Sequence, residues 1–154
     1  RVGLEDALVH SAELVRDPSD RGQRAKLQAQ TSVPSATVKA EAWERFNDGG
    51  FGSLYLTAAA MGGFNWTHQR DLLEPYVGAF FDEAPRIYHE KDNEFQSDWF
   101  HALFPAYRVE DPTLERSRKL LDAVGEELPV LARKLREAND DLQRAIRCRA
   151  FAAS

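Results

Sequence analysis

Residues 53–63 read SLYLTAAAMGG, and the part from 54 to 61 is apolar on nearly every side of a helix. Such a segment predicts a short central helix that is buried on most of its faces. Ser53 is suited to cap its first turn, and the two glycines that follow Met61 are suited to end it. A bilayer takes about 20 apolar residues to cross, so the segment is too short to span one. It indicates the core of a helical domain.

Helical spacing of apolar residues continues outward from this segment along nearly the whole chain. No run alternates with a period of two between hairpin turns, so the pattern predicts about nine helices and no sheet. The earlier helices are expected at 4–15, at 20–30, and from a cap at Ser35 to the turn NDGG at 47–50.

Prolines and glycines divide the second half of the sequence. Thr67 is suited to cap a helix that Pro75 then kinks or breaks, so two short helices are expected there. Pro85 fits the first turn of another helix. One more helix is expected to carry Phe95, Trp99, Phe100, Leu103 and Phe104 before Pro105 stops it. The last two helices are expected from a capping Asp111 followed by Pro112 to a stop at Gly125, and from about Glu127 towards the C-terminus.

The predicted fold class is all-α, built from stacked antiparallel helix pairs. An irregular bundle is the alternative, but the helices share no heptad of the kind that a four-helix bundle needs. A chain of 154 residues is close to the usual size of one domain, so residues 1–154 are expected to form a single helical domain. At this length the core needs no disulfide or structural metal for stability.

Charge and cysteine usage bear on partners and location. The chain has 20 Lys and Arg against 25 Asp and Glu, with a net charge of −5, and the two signs are interspersed. Binding to nucleic acid or to an anionic membrane needs a concentrated positive surface, so neither is expected. The single cysteine, Cys148, forms no internal disulfide, and the predicted location is the cytoplasm. Because the chain begins with Arg1 and its one methionine is Met61, we expect a piece of a longer protein.

The histidines do not have the spacing of a zinc site. His89 and Glu90 begin like a His-Glu-x-x-His motif, but Asn93 occupies the position of the second histidine. His10, His68 and His101 form no pair one helical turn apart. The sequence therefore predicts no metal ligand in this chain.

Other candidate chemistry is equally weak. Gly50 and Gly52 resemble the start of a dinucleotide loop, but Tyr55 replaces the third glycine and no strand precedes the loop. Asp98 and His101, three residues apart, are expected to form a local structural pair rather than a general base. Cys148 has no histidine nearby in the sequence to act as its base, so it is expected to be passive. The residues predict no catalytic group and no cofactor.

Four segments, taken in order, resemble the C-terminal helical domain of bacterial aminopeptidase N, a gluzincin-type family of zinc aminopeptidases. They are KAEAW at 39–43, MGGF at 61–64, QRDLLEPYV at 69–77 and LFPA at 103–106. In that family a helix pair ends in a lysine-alanine-tryptophan segment, and a glycine-rich turn leads into a helix that closes with leucine-leucine-x-proline-tyrosine. The similarity extends upstream through 17–23 and downstream through 144–147, so it covers most of the chain.

The resemblance implies a role without catalysis. In such enzymes an upstream thermolysin-like domain holds zinc through His-Glu-x-x-His and a distal glutamate, and a Gly-x-Met-Glu-Asn motif grips the amino group of the substrate. Neither motif occurs here, so no catalytic residue carries over, and the implied zinc belongs to the catalytic domain of the parent enzyme. The implied fold is part of an armadillo- or HEAT-like superhelix that covers the active site and admits only short peptides.

The implied partners are the catalytic domain of the same polypeptide and short peptides in the cavity. If the concave surface holds a peptide carboxylate, cationic side chains near helix ends suit the task. The candidate cavity residues are Arg70, Arg86, Lys91 and Arg108. Two other readings stay open at this point: a free-standing helical-repeat module that binds other proteins, and a self-contained enzyme.

Overall fold

A computed structural model describes residues 20–154, and the regular structure of that part is helical. The described residues contain no β-strand, only one isolated bridge between Phe51 and Ser53. The all-α prediction is confirmed, whereas the helix predicted at 4–15 lies outside the described residues. The helices are α1 Asp20–Ser32, α2 Ala36–Asn47, α3 Leu54–Gly62, α4 Arg70–Glu90, α5 Asn93–Leu103, α6 Asp111–Val124 and α7 Pro129–Ala153, with a 3₁₀ turn at Thr67–Gln69.

The chain divides into two compact units. The first contains the described residues up to Glu74 together with Ser97–Leu103. The second contains Pro75–Gln96 and Phe104–Ser154. Both α4 and α5 therefore contribute residues to each unit. The domain assignment made from chain length stays a prediction.

In the first unit α1 packs against α3. The predicted capping residues stand at the starts of α2 and α3. The hydroxyl of Ser35 accepts the N–H of Val38, and that of Ser53 accepts the N–H of Leu56. The turn after α2 uses positive φ angles of 87° at Gly49 and 63° at Gly50, which L-residues adopt at a cost. The core includes Phe46, Ala60, Met61, Phe64 and Trp99, each at most 1% exposed.

In the second unit α6 and α7 pack against each other across the short turn at 125–128, which makes them an antiparallel pair. Pro112 stands in the first turn of α6 and Gly125 ends the helix, as predicted. The capping position is Glu110, however, and Asp111 is already helical, so the predicted cap is wrong by one residue. Buried residues of the pair include Leu114, Val124, Leu131, Leu135 and Leu142.

The predicted break at Pro75 is wrong, and so is the helix start at Pro85. Both prolines lie inside α4, which continues for 21 residues from Arg70 to Glu90. Each proline removes one backbone donor and costs about 3 kcal/mol in a helix interior. The helix continues because it carries a long buried stripe, and burying each large apolar side chain contributes roughly 1.5–3 kcal/mol. The stripe consists of Leu73, Val77, Phe80, Phe81, Ala84, Ile87 and Tyr88.

Two other helix starts are shifted. Thr67 begins a 3₁₀ turn whose preceding residue is Trp66, and α4 itself begins at Arg70. The last helix begins at Pro129 rather than near Glu127. Among residues 20–154, none of the helices combines the length and the apolar character needed to cross a membrane.

Candidate functional site

The four predicted cavity cations lie on different segments. Arg70 is the first residue of α4 and belongs to the first unit. Arg86 lies near the end of α4, Lys91 directly follows that helix, and Arg108 lies between α5 and α6; these three belong to the second unit. All four residues are half-buried.

Arg86 is engaged by two carboxylates on its own helix. Its Nε and Nη2 atoms each lie 2.9 Å from Oε2 of Glu83, and its Nη1 lies 3.0 Å from Oε2 of Glu90. These are the i−3 and i+4 positions at which helical side chains meet. The charge of Arg86 is therefore largely compensated within α4.

Lys91 lies in a turn that Gln96 holds in place. The amide Nε2 of Gln96 donates to the carbonyl oxygens of Lys91, at 2.7 Å, and Tyr88, at 3.2 Å. The hydroxyl of Tyr88 donates back to the carbonyl oxygen of Gln96, and burial raises the pKa of Tyr88 to about 12 despite the opposing charge of Arg133. The backbone of Lys91 is thus fixed, while its Nζ lies 5.5 Å from the centre of the Phe95 ring.

Arg108 is more enclosed than Arg86, whose side chain is 33% exposed. The side chain of Arg108 is 12% exposed, and its Nη1 lies 3.5 Å from Oε1 of Glu110. The surrounding turn is closed by a bond from the Arg108 N–H to the carbonyl oxygen of Pro105 and by one from the Glu110 N–H to that of Arg108. The role of the four cations as cavity residues stays a prediction.

A groove between α4 and α6 forms a concave site in the second unit. It has a volume of about 460 Å³. Gly78, Phe81 and Asp82 lie on its α4 side, and Arg116, Lys119 and Leu120 on its α6 side. The sequence does not predict this groove, because two cations on the exposed face of a helix look like an ordinary solvated surface. The one available signal was Gly78, a glycine inside an otherwise continuous helical pattern.

The most unusual polar group of the first unit is Lys39 of α2, which is fully buried. Its Nζ donates to the carbonyl oxygens of Thr31, at 2.7 Å, and Phe64, at 2.9 Å, and lies 5.1 Å from the centre of the Phe64 ring. Burial lowers the pKa of Lys39 from 10.5 to about 8. Lys39 lies in the KAEAW segment, whose sequence alone indicates no role for it.

The residues around Lys39 join three helices. The hydroxyl of Thr31, near the end of α1, donates to the carbonyl oxygen of Ala60 in α3 at 2.6 Å. The next carbonyl oxygen of α1, that of Ser32, accepts a hydrogen bond from Nε2 of Gln69. The last carbonyls of α1 thus receive donors from side chains elsewhere in the unit, as helix ends require. These bonds give Lys39 a structural role at the end of α1.

A comparison with known proteins shows which protein the chain resembles. The chain is 30% identical over 144 residues to aminopeptidase N of Streptomyces lividans, and the match covers 94% of this chain. This chain resembles aminopeptidase N. The resemblance predicted from its sequence segments is thereby confirmed. The chain spans 17% of the length of that relative. No family model matches the chain.

The zinc expected from the sequence resemblance has no matching ligand set in the described part of this chain. Residues 20–154 contain no group of three or more His, Cys, Asp or Glu side chains that could hold a metal ion. His68 lies in the 3₁₀ turn, and His89 is half exposed, with its Nε2 3.5 Å from Oε1 of Glu127. One histidine and one carboxylate do not make a zinc site, which takes at least three protein ligands.

Proposed function

We propose that this chain is the non-catalytic C-terminal helical part of a zinc-dependent aminopeptidase. The whole enzyme removes N-terminal residues from peptides in the cytoplasm, with the zinc and the reacting groups in another part of the polypeptide. The observation that carries the proposal is the extent of the similarity. It runs through 94% of this chain but only 17% of the related aminopeptidase N, as expected of one segment of a larger enzyme.

In this role the chain encloses the active-site cavity and limits access to short peptides. A closed chamber excludes folded proteins and shields the reaction from bulk water. A wall has to hold its shape against solvent, and the first unit is suited to that because its helix ends are tied by side-chain bonds. Lys39, Thr31 and Gln69 supply such bonds around the end of α1.

The four predicted cations contribute to this wall by holding the carboxylate or backbone of a bound peptide. None of them is required to reach the scissile bond. They therefore stabilise the bound peptide equally in the ground state and in the transition state. Loss of such binding raises KM and leaves kcat unchanged. A single-residue anilide does not extend along the wall and is expected to be insensitive to the same change.

The test uses the natural polypeptide that carries this chain, with Arg70, Arg86, Lys91 and Arg108 all changed to Gln. We expect KM for peptides of several residues to rise and the kinetic constants for a leucyl anilide to stay nearly unchanged. The matched control changes four exposed arginines, Arg21, Arg118, Arg136 and Arg147, to Gln, which removes the same total charge. Far-ultraviolet circular dichroism checks the fold, since Arg86 also stabilises α4 through Glu83 and Glu90.

Two results would contradict the proposal. A fall of about 100-fold in kcat for the anilide, equivalent to about 2.7 kcal/mol of transition-state stabilisation, would give this chain a direct part in catalysis. An equal rise in KM for both variants would trace the effect to total charge rather than to the four predicted positions.

A further inference from the structure

The groove between α4 and α6 has a feature that ordinary helix packing does not require. A Cβ atom built on Gly78 would lie 2.9 Å from Nη1 of Arg116. The missing side chain therefore lets the guanidinium lie directly against the backbone of α4. Glycine in a helix interior is unfavourable by about 1 kcal/mol relative to alanine. At position 78 this loss of stability is accompanied by the close approach of the Arg116 guanidinium, which alanine would obstruct.

The two cations of the groove are available to a ligand. Among the residues that the structure describes, neither Arg116 nor Lys119 forms a hydrogen bond or an ion pair. Asp82 lines the same groove and has no such partner in that part of the chain. The groove thus presents two positive charges and one negative charge with their hydrogen-bonding capacity unused.

Apolar side chains complete the groove. Phe81, which is 7% exposed, and Leu120 both line it. A volume of about 460 Å³ is within the range of roughly 300–1,000 Å³ that small-molecule sites occupy. A ligand that uses every part of this lining carries a carboxylate, an ammonium group and a compact apolar side chain.

We propose that this groove binds a free apolar α-amino acid in its zwitterionic form. The planar guanidinium of Arg116 and the ammonium of Lys119 receive the carboxylate, since arginine pairs with carboxylates through two parallel N–H bonds. Asp82 receives the α-ammonium group, and the side chain packs against Phe81 and Leu120. A simple anion would leave Asp82 as a like charge, so the complete lining favours the zwitterion over the anion.

Under the proposed function, a free apolar amino acid is a product of the reaction. The identification of the amino acid as a reaction product rests on the proposed function, whereas the binding of the amino acid to the groove does not. Occupancy of the groove would then report product accumulation on a surface that holds no reacting group.

The test is titration of the 154-residue chain with L-leucine, followed by amide NMR. We expect saturable shifts at residues around Gly78 and Leu120, with a dissociation constant on the order of 1 mM for a ligand of this size. Leucine methyl ester lacks the carboxylate, N-acetyl-leucine lacks the ammonium group, and acetate is the ion alone. Each should bind about fivefold or more weakly than leucine, the effect of losing one exposed charge contact.

Matched variants assign the binding to the groove. Arg116→Gln and Gly78→Ala should each weaken leucine binding by about fivefold or more, the second by displacing the guanidinium without removing it. Arg118→Gln is the control, because Arg118 is an exposed arginine of α6 outside the groove. Absence of saturable shifts, acetate binding as tight as leucine binding, or equal weakening by Arg118→Gln would each overturn the site. Leucine binding in a chain whose natural polypeptide lacks peptidase activity would support the site and overturn the proposed function instead.

Discussion

The Nζ of Lys39 lies 2.7 Å from the carbonyl oxygen of Thr31 and donates a hydrogen bond to it inside the core of the first unit. Thr31 is near the C-terminus of α1, where the helix dipole places partial negative charge. A cation on the neighbouring helix α2 thus closes the end of α1. The same Nζ also donates to Phe64, which follows α3, so one side chain joins three helical segments.

Because Lys39 is buried, the free energy of unfolding should change with pH in the alkaline range. The pKa of Lys39 is about 8 in the folded chain and 10.5 in the unfolded chain, so between these values the unfolded chain binds more protons. The free energy of unfolding therefore rises as pH increases from about 8 to 10.5, by up to about 3 kcal/mol. The neutral amine keeps two N–H groups for the carbonyls of Thr31 and Phe64. Urea unfolding at both pH values measures the rise.

Lys39→Met is the reference for that measurement, because methionine fills a similar volume and does not titrate. Tyrosines and the other lysines titrate in both proteins, so their contribution cancels in the difference. We expect the alkaline rise to be larger in the wild type than in the variant. Equal pH dependence in the two proteins would show that the ammonium of Lys39 is solvated rather than buried.

Substitution by alanine should affect stability differently at two adjacent glycines, Gly62 and Gly63. A Cβ on Gly63 would lie inside the contact distance of the Gln28 carbonyl oxygen and 2.5 Å from Oγ1 of Thr31, whereas a Cβ on Gly62 would meet only Nε2 of Gln28 at 3.8 Å. Gly63→Ala forces the backbones of α1 and α3 apart and should destabilise the fold by about 1–3 kcal/mol. Gly62→Ala should be neutral or stabilising. Thermal denaturation of both variants compares them, and similar melting temperatures would contradict the close approach of the two helices.

The tryptophans are distinguished by burial and hydrogen bonding. Trp99 is fully buried, and its Nε1 donates to Oδ1 of Asn47 at 2.9 Å, whereas Trp66 is 45% exposed. Trp99→Phe removes that donor and leaves the Asn47 oxygen unpaired, which should cost about 1–3 kcal/mol. Trp66→Phe should change the free energy of unfolding by less than about 0.5 kcal/mol. Chemical denaturation gives both values, and an equal loss in the two variants would place Trp66 in the core.

Gly78→Ala should separate stability from binding. The atom that the new Cβ meets is the end of a flexible arginine side chain, which is able to move into solvent. The substitution should therefore raise the free energy of unfolding by up to about 1 kcal/mol, as expected for glycine replaced within a helix. Calorimetry checks this value. A lower melting temperature would mean that Arg116 is fixed in place and that the groove is a packed contact.

Local rules predicted much of the fold. The caps at Ser35 and Ser53 and the stop at Gly125 each depend on a few adjacent residues, and all are observed. Burial within α2 is less even than a local pattern shows: Phe46 is fully buried, whereas Trp43 is half-buried with its ring 5.7 Å from that of Phe64.

The failures have a common physical cause. Pro75 and Pro85 break isolated helices, but in α4 the burial of a long apolar stripe outweighs two missing hydrogen bonds. Lys39 was unpredictable as a core residue because its partners are backbone carbonyls 8 and 25 residues away, which no sequence spacing reveals. The groove depends on Gly78 and Arg116 meeting across two helices, and a helical pattern does not show which helices are neighbours.

Under the proposed function, catalysis resides in a part of the zinc aminopeptidase outside this chain. The most direct measurement compares leucyl anilide hydrolysis and bound zinc in the natural polypeptide and in the 154-residue chain. We expect about one zinc and chelator-sensitive turnover in the natural polypeptide, and neither in the 154-residue chain. Chelator-sensitive turnover by the 154-residue chain would contradict the account by placing the reacting groups here. Absence of zinc and turnover in the natural polypeptide would contradict it as well, and would favour a helical module that binds other proteins.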